Sequence, residues 1–310
     1  MAATVKEIGL LSAKRNKRPT VDAYKKISKR AKKLNRSIGG TVALFAFISM
    51  FGIFMAFPLV LTINNAFKPL DELFLFPPRL FVRNPTYYNF LDLFILMSES
   101  WVPFSRYILN TVIITGSGVV GHVLFASMAA YPLAKNNFPF KNILFNMVVL
   151  ALMFSSVVTA IPNYMIISAL GINNTYLAVI LPAFSFSLGL YLMKQFMEQI
   201  PDSLAESARL DGASEYRIYW SIVMPNVKPA WLTLVILMFQ YLWGTTGGVF
   251  LRSEQLKPLN FALNQIAAGG IARAGAGAAV GLLLMSVPIL FFIVSQSQII
   301  ETMTTSGIKE

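Results

Sequence analysis

Few side chains in this sequence could carry out covalent chemistry. There is no cysteine and a single histidine, His122. That excludes a disulfide framework and thiolate-ligated metal or iron–sulfur sites, and it leaves one imidazole for zinc or haem. No nucleophile–base pair, metal cluster or paired carboxylates can be assembled from the long apolar stretches. Their polar content is uncharged: Asn110, Ser155, Ser156, Thr159, Ser185, Ser187, Gln240 and Trp243, among abundant Phe and Tyr. Hydroxyls, amides and aromatic faces suit a neutral polar solute such as a sugar, and they also serve as hydrogen-bonding glue between helices. An ion-coupled carrier or channel acting alone would place Asp, Glu, Lys or Arg at membrane depth. The only titratable interior candidate is His122, and a lone histidine reads as a packed residue rather than a proton relay.

A second group of chemistry-bearing residues lies between Ile200 and Pro229. Ser203 and Glu206 have the spacing of a capping box that would start a short helix. Gly212, able to adopt positive φ, would end it. Ser214 is placed to cap a second helix that Pro225 would stop, and Pro229 suits the first turn of the next helix. This reads as a compact knob presenting Ala205, Ser207, Ala208 and Ala213 to a docking partner, or as a plain amphipathic connector.

The elements that must position these groups are membrane spans. Only 13% of the 310 residues are charged while 55% are hydrophobic, about half the charge density of a soluble domain; mean hydropathy is +0.61. Apolar runs of spanning length fall at residues 41–63, 107–133, 143–169, 177–197, 230–250 and 278–300. Pro58, Pro162, Pro182 and Pro288 lie inside them and invite kinks. Gly116, Gly118, Gly121, Ala126 and Ala130 smooth one face of the second run for close helix contact. The expected fold is therefore all-α, with six transmembrane helices.

The net charge of +12 is unevenly placed. Twelve of the 26 Lys and Arg and two of the 14 acids lie in residues 1–40, leaving 14 basic and 12 acidic residues in the remaining 270. A basic arm of about +10 next to the first apolar run predicts a cytoplasmic amino terminus, and six spans return the carboxyl terminus to the same side. Lys135, Lys141, Lys194, Arg209, Arg217 and Lys228 fall in connections on that side, whereas 171–176 is uncharged. The arm fits anionic lipid better than nucleic acid, since no recognition fold follows it. The sequence divides into the arm, 1–40, and a membrane domain, 41–310.

Glu206-Ser207-Ala208, then Leu210-Asp211-Gly212-Ala213, then Ile222, Pro225 and Pro229 resemble the EAA loop of ABC importer permeases. Asn110-Thr111, the run Ala129 to Lys135, Ile161-Pro162 and Gln199-Ile200-Pro201 are similar to the carbohydrate-uptake branch, in particular the G-type membrane subunit of the maltose importer. The resemblance covers residue 41 to the carboxyl end. It implies a type I importer permease in a bacterial cytoplasmic membrane, forming a pore with a second homologous permease and served by an extracytoplasmic solute-binding protein. It also implies two ATP-binding subunits. ATP and magnesium would sit on those subunits, since this sequence has no G-x-x-x-x-G-K-[ST] phosphate loop; no cofactor is expected on this chain, and no enzymatic activity.

By the same resemblance Glu206, Ser207, Ala208, Asp211, Gly212, Ala213 and Pro225, within the loop 200–229, would couple to the ATPase. Asn110, Ser156, Thr159, Ser185, Gln240 and Trp243 are the candidates for the solute path, the cargo being an oligosaccharide or, alternatively, a non-sugar solute. Two departures stand out. Ser207 replaces the second alanine of the motif, and Trp243-Gly244 stands where relatives have Trp-Asn. The glycine-rich segment 267–277 falls where the family has an outer loop that reaches the binding protein, and the tail 304–310 where it contacts the ATPase pair.

Overall fold

The structure, a computed structural model, describes the backbone of residues 38–306 and the side chains of 38–296. The basic arm up to residue 37, and the tail from 307, lie outside the described residues. By its contacts the chain divides at Val60, within the first helix, α1 (Ile38–Phe67). The part of α1 up to Val60 exposes almost every side chain, Phe45, Ile53 and Phe54 among them. A helix apolar all round with no buried stripe has the pattern of a lipid-facing span.

The unit from Leu61 onward is built on α3 (Phe104–Lys135). Against it pack α6 (Leu177–Phe184), α7 (Ser187–Glu198) and α10 (Lys228–Trp243); α10 also meets α12 (Ala274–Ser306). Two short helices, α2 (Tyr88–Ser98) and α11 (Leu259–Ala267), lean on α12. The smooth face read in α3 has two specific contacts. A Cβ on Gly118 would overlap Leu242, and one on Gly121 would overlap Phe184.

Among the described residues, four helical segments have the length and apolarity to cross a membrane: Ile38–Phe67, Phe104–Lys135, Leu177–Glu198 and Ile271–Gln296. Two more candidate spans are bent pairs among the described residues. The first is α4 (Lys141–Ala151) with α5 (Ser156–Ala169), meeting at 111°. The helix stops after Ala151 and restarts where Ser155 caps α5, its Oγ accepting from Val157 N–H at 3.4 Å. The second pair is Glu215–Asn226 with Lys228–Trp243, at 77°.

This changes two expected spans. The run 143–169 is not one straight helix, and the fifth helix ends at Trp243 rather than 250. Gly244 follows, and then Gly247 and Gly248 turn the chain at φ of 74° and 47°, a conformation that a continuing helix cannot use. Pro58, Pro132, Pro162, Pro182 and Pro288 all lie inside helices. After Pro182 the fourth span loses helical geometry at Ser185 and Phe186 and resumes at Ser187.

Among the described residues of this unit, three apolar clusters form its core. Ala130, Met193, Met197, Ile218, Val223 and Leu234 centre the cluster at the C-terminal end of α3. Ile114, Ile180, Met238, Leu242 and Leu251 fill the middle, and Leu93, Leu263, Ala279 and Val280 join α2, α11 and α12.

Candidate functional site

At the C-terminal end of α3 the chain returns from α7 into the loop 200–229. Its first helix, α8 (Asp202–Leu210), starts at Asp202 with Pro201 as its N-cap and no side-chain cap. The Ser203–Glu206 capping box does not form. Pro201 lacks an N–H and carries a fixed φ, so helical geometry begins one residue before Ser203. Ser203 is left inside the helix, where its carbonyl accepts from Ser207 Oγ at 2.8 Å.

Gly212 turns the chain at φ 79°. Ser214 then caps α9 (Glu215–Ile218), its Oγ accepting from Arg217 N–H at 3.4 Å. The helix widens into a π turn over Tyr219–Val223 and closes with Met224–Asn226, so it runs one residue past Pro225. The widened turn relieves the clash a proline ring makes with the carbonyl one turn back. Pro229 occupies the first turn of α10, as expected.

The tip of this knob presents Glu206, Ser207, Asp211 and Gly212 on its outside, with Leu210 89% exposed. Ala205, by contrast, is buried, and Ala208 and Ala213 are half-buried against the apolar cluster below. Three of the four small residues expected to face a partner therefore pack against the chain's own core. The outward group is the polar pair Glu206–Ser207 with Leu210. Pro225 is exposed on the second helical segment.

Polar contacts fasten the knob to α3. Ser127, Tyr131 and Lys135 recur every fourth residue and so share one face. Ser127 Oγ and Tyr219 OH are 2.6 Å apart, and Tyr131 OH donates to Glu215 Oε2 at 2.6 Å. Arg209 also holds that carboxylate, Nε to Oε1 at 2.6 Å. Lys135 donates to Asp202 Oδ1 at 2.7 Å and to the carbonyl of Ile200. Its side chain is 3% exposed while that of Asp202 is 75% exposed.

The hydrogen bond from Arg209, and then that from Tyr131, holds the Glu215 carboxyl below its ordinary value. Glu215 in turn raises Arg209. Lys135 lowers Asp202 in the same way. Spacing alone puts Ser127, Tyr131 and Lys135 on one face, but α3 also carries Asn110, Thr111, Thr115, Ser117 and His122, so the sequence does not single these three out.

The solute-path candidates are scattered. Asn110 is fully buried at the N-terminal end of α3, its Nδ2 donating to the carbonyls of Gln255 and Lys257 at 2.8 Å each, while Tyr176 OH donates to its Oδ1. Ser185 lines a cavity of about 300 Å³ at the break after α6, with Ser187, Phe125, Phe184 and Phe186. Ser156 and Gln240 are exposed, and Thr159 is half-buried. Trp243 is half-buried and stacks on Phe239, centroids 5.7 Å apart. None of these last four, nor Asn110, lines that cavity.

His122 is fully buried, packed edge-on to Phe186. Its nitrogens have no well-aligned partner, although the carbonyls of Ala183 and Phe184 face the ring. The glycine-rich segment 267–277 is less loose than its composition suggests. Gly275 and Gly277 lie inside α12, and a Cβ on Gly275 would overlap Asn89 Oδ1.

An all-α chain of long apolar helices, two bent helix pairs and a helical loop pinned to its central helix is a multi-pass membrane permease. Residues 122–304 match the family described as binding-protein-dependent transport system inner membrane component, and the chain belongs to that family. Its members are membrane subunits of importers and not enzymes.

The chain is 30% identical over 205 residues to the arabinooligosaccharides transport system permease protein AraQ of Halalkalibacterium halodurans, covering 64% of this chain and 70% of that one. With protein LplC of Bacillus subtilis it shares 32% identity over 158 residues, half of this chain and 53% of LplC. With the polygalacturonan/rhamnogalacturonan transport system permease protein YtcP of Bacillus subtilis it shares 27% over 225 residues, 72% and 76% of the two chains. The fold also matches the crystal structure of a bacterial ABC transporter involved in the import of the acidic polysaccharide alginate. The TM-score is 0.70 at 20% identity, over 83% of this chain and 95% of that one.

Proposed function

We propose that this chain is one of two pore-forming permease subunits of a binding-protein-dependent ABC importer for an oligosaccharide, coupled through the loop 200–229 to two separate ATPase subunits. ATP and magnesium belong to those subunits, and both chain termini lie in the cytoplasm. What carries the coupling reading is the tip Glu206–Gly212. It offers an exposed carboxylate, a serine and an apolar Leu210 on a helix whose opposite side is anchored in the core. An exposed carboxylate beside an exposed leucine on an anchored helix suits docking against another protein.

The sugar reading is supported by the likeness to the arabinooligosaccharides permease AraQ and the polygalacturonan/rhamnogalacturonan permease YtcP, and by the serine- and phenylalanine-lined cavity at Ser185. A second permease is supported by the bent pair α4–α5. No residue of α4 is buried, and Met153, Val157 and Ile161 stand 71–80% exposed.

The test is purification of the complete complex with Glu206→Lys, which inverts the charge at the tip. Loss of the ATPase subunits from the complex, together with loss of ATP-driven oligosaccharide uptake into vesicles, is expected. Intact assembly with full uptake would overturn the coupling assignment, and uptake of peptides but not glycans would overturn the cargo.

A further inference from the structure

We infer that α3, although not joined to the coupling loop in sequence, is the lever that loop drives, and that Ser127, Tyr131 and Lys135 are the positioning residues that gear the two together. The inference rests on the coupling reading above.

The loop is continuous with α7 and α10, and simple connectivity would assign those helices the task of carrying its motion inward. The hydrogen bonds point elsewhere. Three consecutive turns of α3 each place one polar group on the loop, and each contact reaches a different part of it. Lys135 takes the start of α8 at Asp202 and Ile200, Tyr131 takes the first residue of α9, Glu215, and Ser127 takes the π turn at Tyr219. Arg209, from the last turn of α8, closes on the same Glu215 carboxylate. Both helices of the knob are thus locked to each other and to α3.

On the α3 side these contacts are covered, while the side chains of Asp202 and Glu215 are 75% and 53% exposed. Ser127 is fully buried and Tyr131 nearly so, and the Lys135 side chain is covered. Ala130, Tyr131, Ala205, Ile218 and Tyr219 pack into one apolar cluster around them. A push on the exposed tip therefore moves α3 as a body rather than bending a connector, because a close-packed, hydrogen-bonded joint has no intermediate geometry to yield into.

At its other end α3 carries the demand forward. Asn110 and Thr111 hold the loop that precedes α11, through the carbonyls of Gln255 and Lys257 and the N–H of Leu259. One continuous helix, Phe104–Lys135, thus joins the proposed ATPase-facing knob to the loop held by Asn110 and Thr111.

The experiment uses the complete complex in proteoliposomes with its binding protein, comparing solute transported per ATP hydrolysed. Ser127→Ala/Tyr131→Phe/Lys135→Met removes the polar heads while keeping the apolar bodies, and Tyr131→Phe alone is the milder version should the triple variant fail to assemble. Retained ATPase subunits with the transport-to-hydrolysis ratio reduced about five-fold or more are expected. A wild-type ratio in an assembled complex overturns the lever assignment and leaves the coupling loop standing. A second arm uses the absence of native cysteine in this chain, with Lys135→Cys/Asp202→Cys joined by a short bismaleimide. If α3 and the loop move as one body, the cross-linked complex transports at a ratio no lower than that of the uncross-linked variant, which itself lacks the Lys135–Asp202 contact. A cross-link that abolishes transport shows that the joint must open, and overturns the inference. Glu206→Lys, run in parallel, separates the two readings, since its failure alone condemns the coupling loop.

Discussion

The hydroxyl of Tyr176 donates to Oδ1 of Asn110 at 2.7 Å, which orients the amide so that its nitrogen serves the carbonyls of Gln255 and Lys257. A fully buried amide with all these bonds made is a fastening. Asn110→Ala would strand two carbonyls and a hydroxyl, each unmade partner costing about 1–3 kcal/mol. Thermal unfolding of the solubilised complex should show a loss of about 2 kcal/mol or more for Asn110→Ala, against about 1 kcal/mol for Tyr176→Phe. Unchanged stability combined with altered sugar uptake would instead assign Asn110 to the solute path.

Gly189 and His122 form a size-matched pair. A Cβ on Gly189 would overlap Nε2 and Cε1 of the imidazole, which is fully buried. Gly189→Ala should cost about 1–3 kcal/mol, the usual range for overpacking a filled core. His122→Ala in the same chain should recover most of that loss, because it vacates the volume the new methyl needs. Size-exclusion profiles and melting temperatures of the two single variants and the double variant measure the coupling. Additive losses would mean that the ring and the glycine do not share the space.

How far sequence reading reached is clear from particular residues. Gly212 and Ser214 were legible because each acts through its own backbone position: only a residue tolerant of positive φ fits the first, and a serine oxygen one residue before a helix fits the second. The same reasoning failed at Ser203. A capping box and a proline N-cap compete for the same helix start, and which one wins depends on how Pro201 leaves α7. The run 143–169 looked uniform because hydropathy does not record direction, so the 111° turn at Leu152–Ser155 left only a pair of serines as its trace. The apolar Val249 and Phe250 carry the expected fifth span to residue 250, although Gly247 and Gly248 turn the chain before them. Ser127, Tyr131 and Lys135 are not legible as a set because their partners lie 65 to 92 residues away, and no local pattern reports a partner at that distance.

Nothing lies within 4 Å of a Cβ built on Gly212, whose φ is 79°. The cost of substitution there is backbone strain without a clash. Gly212→Ala should therefore destabilise the turn by about 1–2 kcal/mol, and Gly212→Asn by less, since Asn visits the left-handed region more readily. Gly212→Pro should be worst, because a ring-locked negative φ cannot make the turn and the bond from Gly212 N–H to the Arg209 carbonyl, 3.0 Å, is lost. ATPase retention in the purified complex should follow the order Gly, Asn, Ala, Pro. An alanine variant weaker than the proline variant would show that side-chain bulk, and not φ, limits this position.

The acid sensitivity of the knob follows from Glu215 and Asp202. Both carboxyls are held below their ordinary values, Glu215 by Arg209 and then Tyr131, Asp202 by Lys135. In the unfolded loop each would take up its proton at a higher pH, about 4.3 for Glu and about 3.9 for Asp. Between the unfolded and the folded values the unfolded state binds more protons, so stability falls as pH falls. The contribution is complete above about pH 5 and disappears only as the pH drops through the lowered folded values. Hydrogen exchange over residues 202–226 should therefore keep its protection from neutral pH down to about 5 and lose it below about 4. Glu215→Gln removes the carboxylate that Arg209 and Tyr131 share, so its protection should start lower and vary less with pH in that window. Loss of wild-type protection already near pH 6 would mean that the carboxylates are not held by these partners, and the polar joint between α3 and the knob would have to be rebuilt around other contacts.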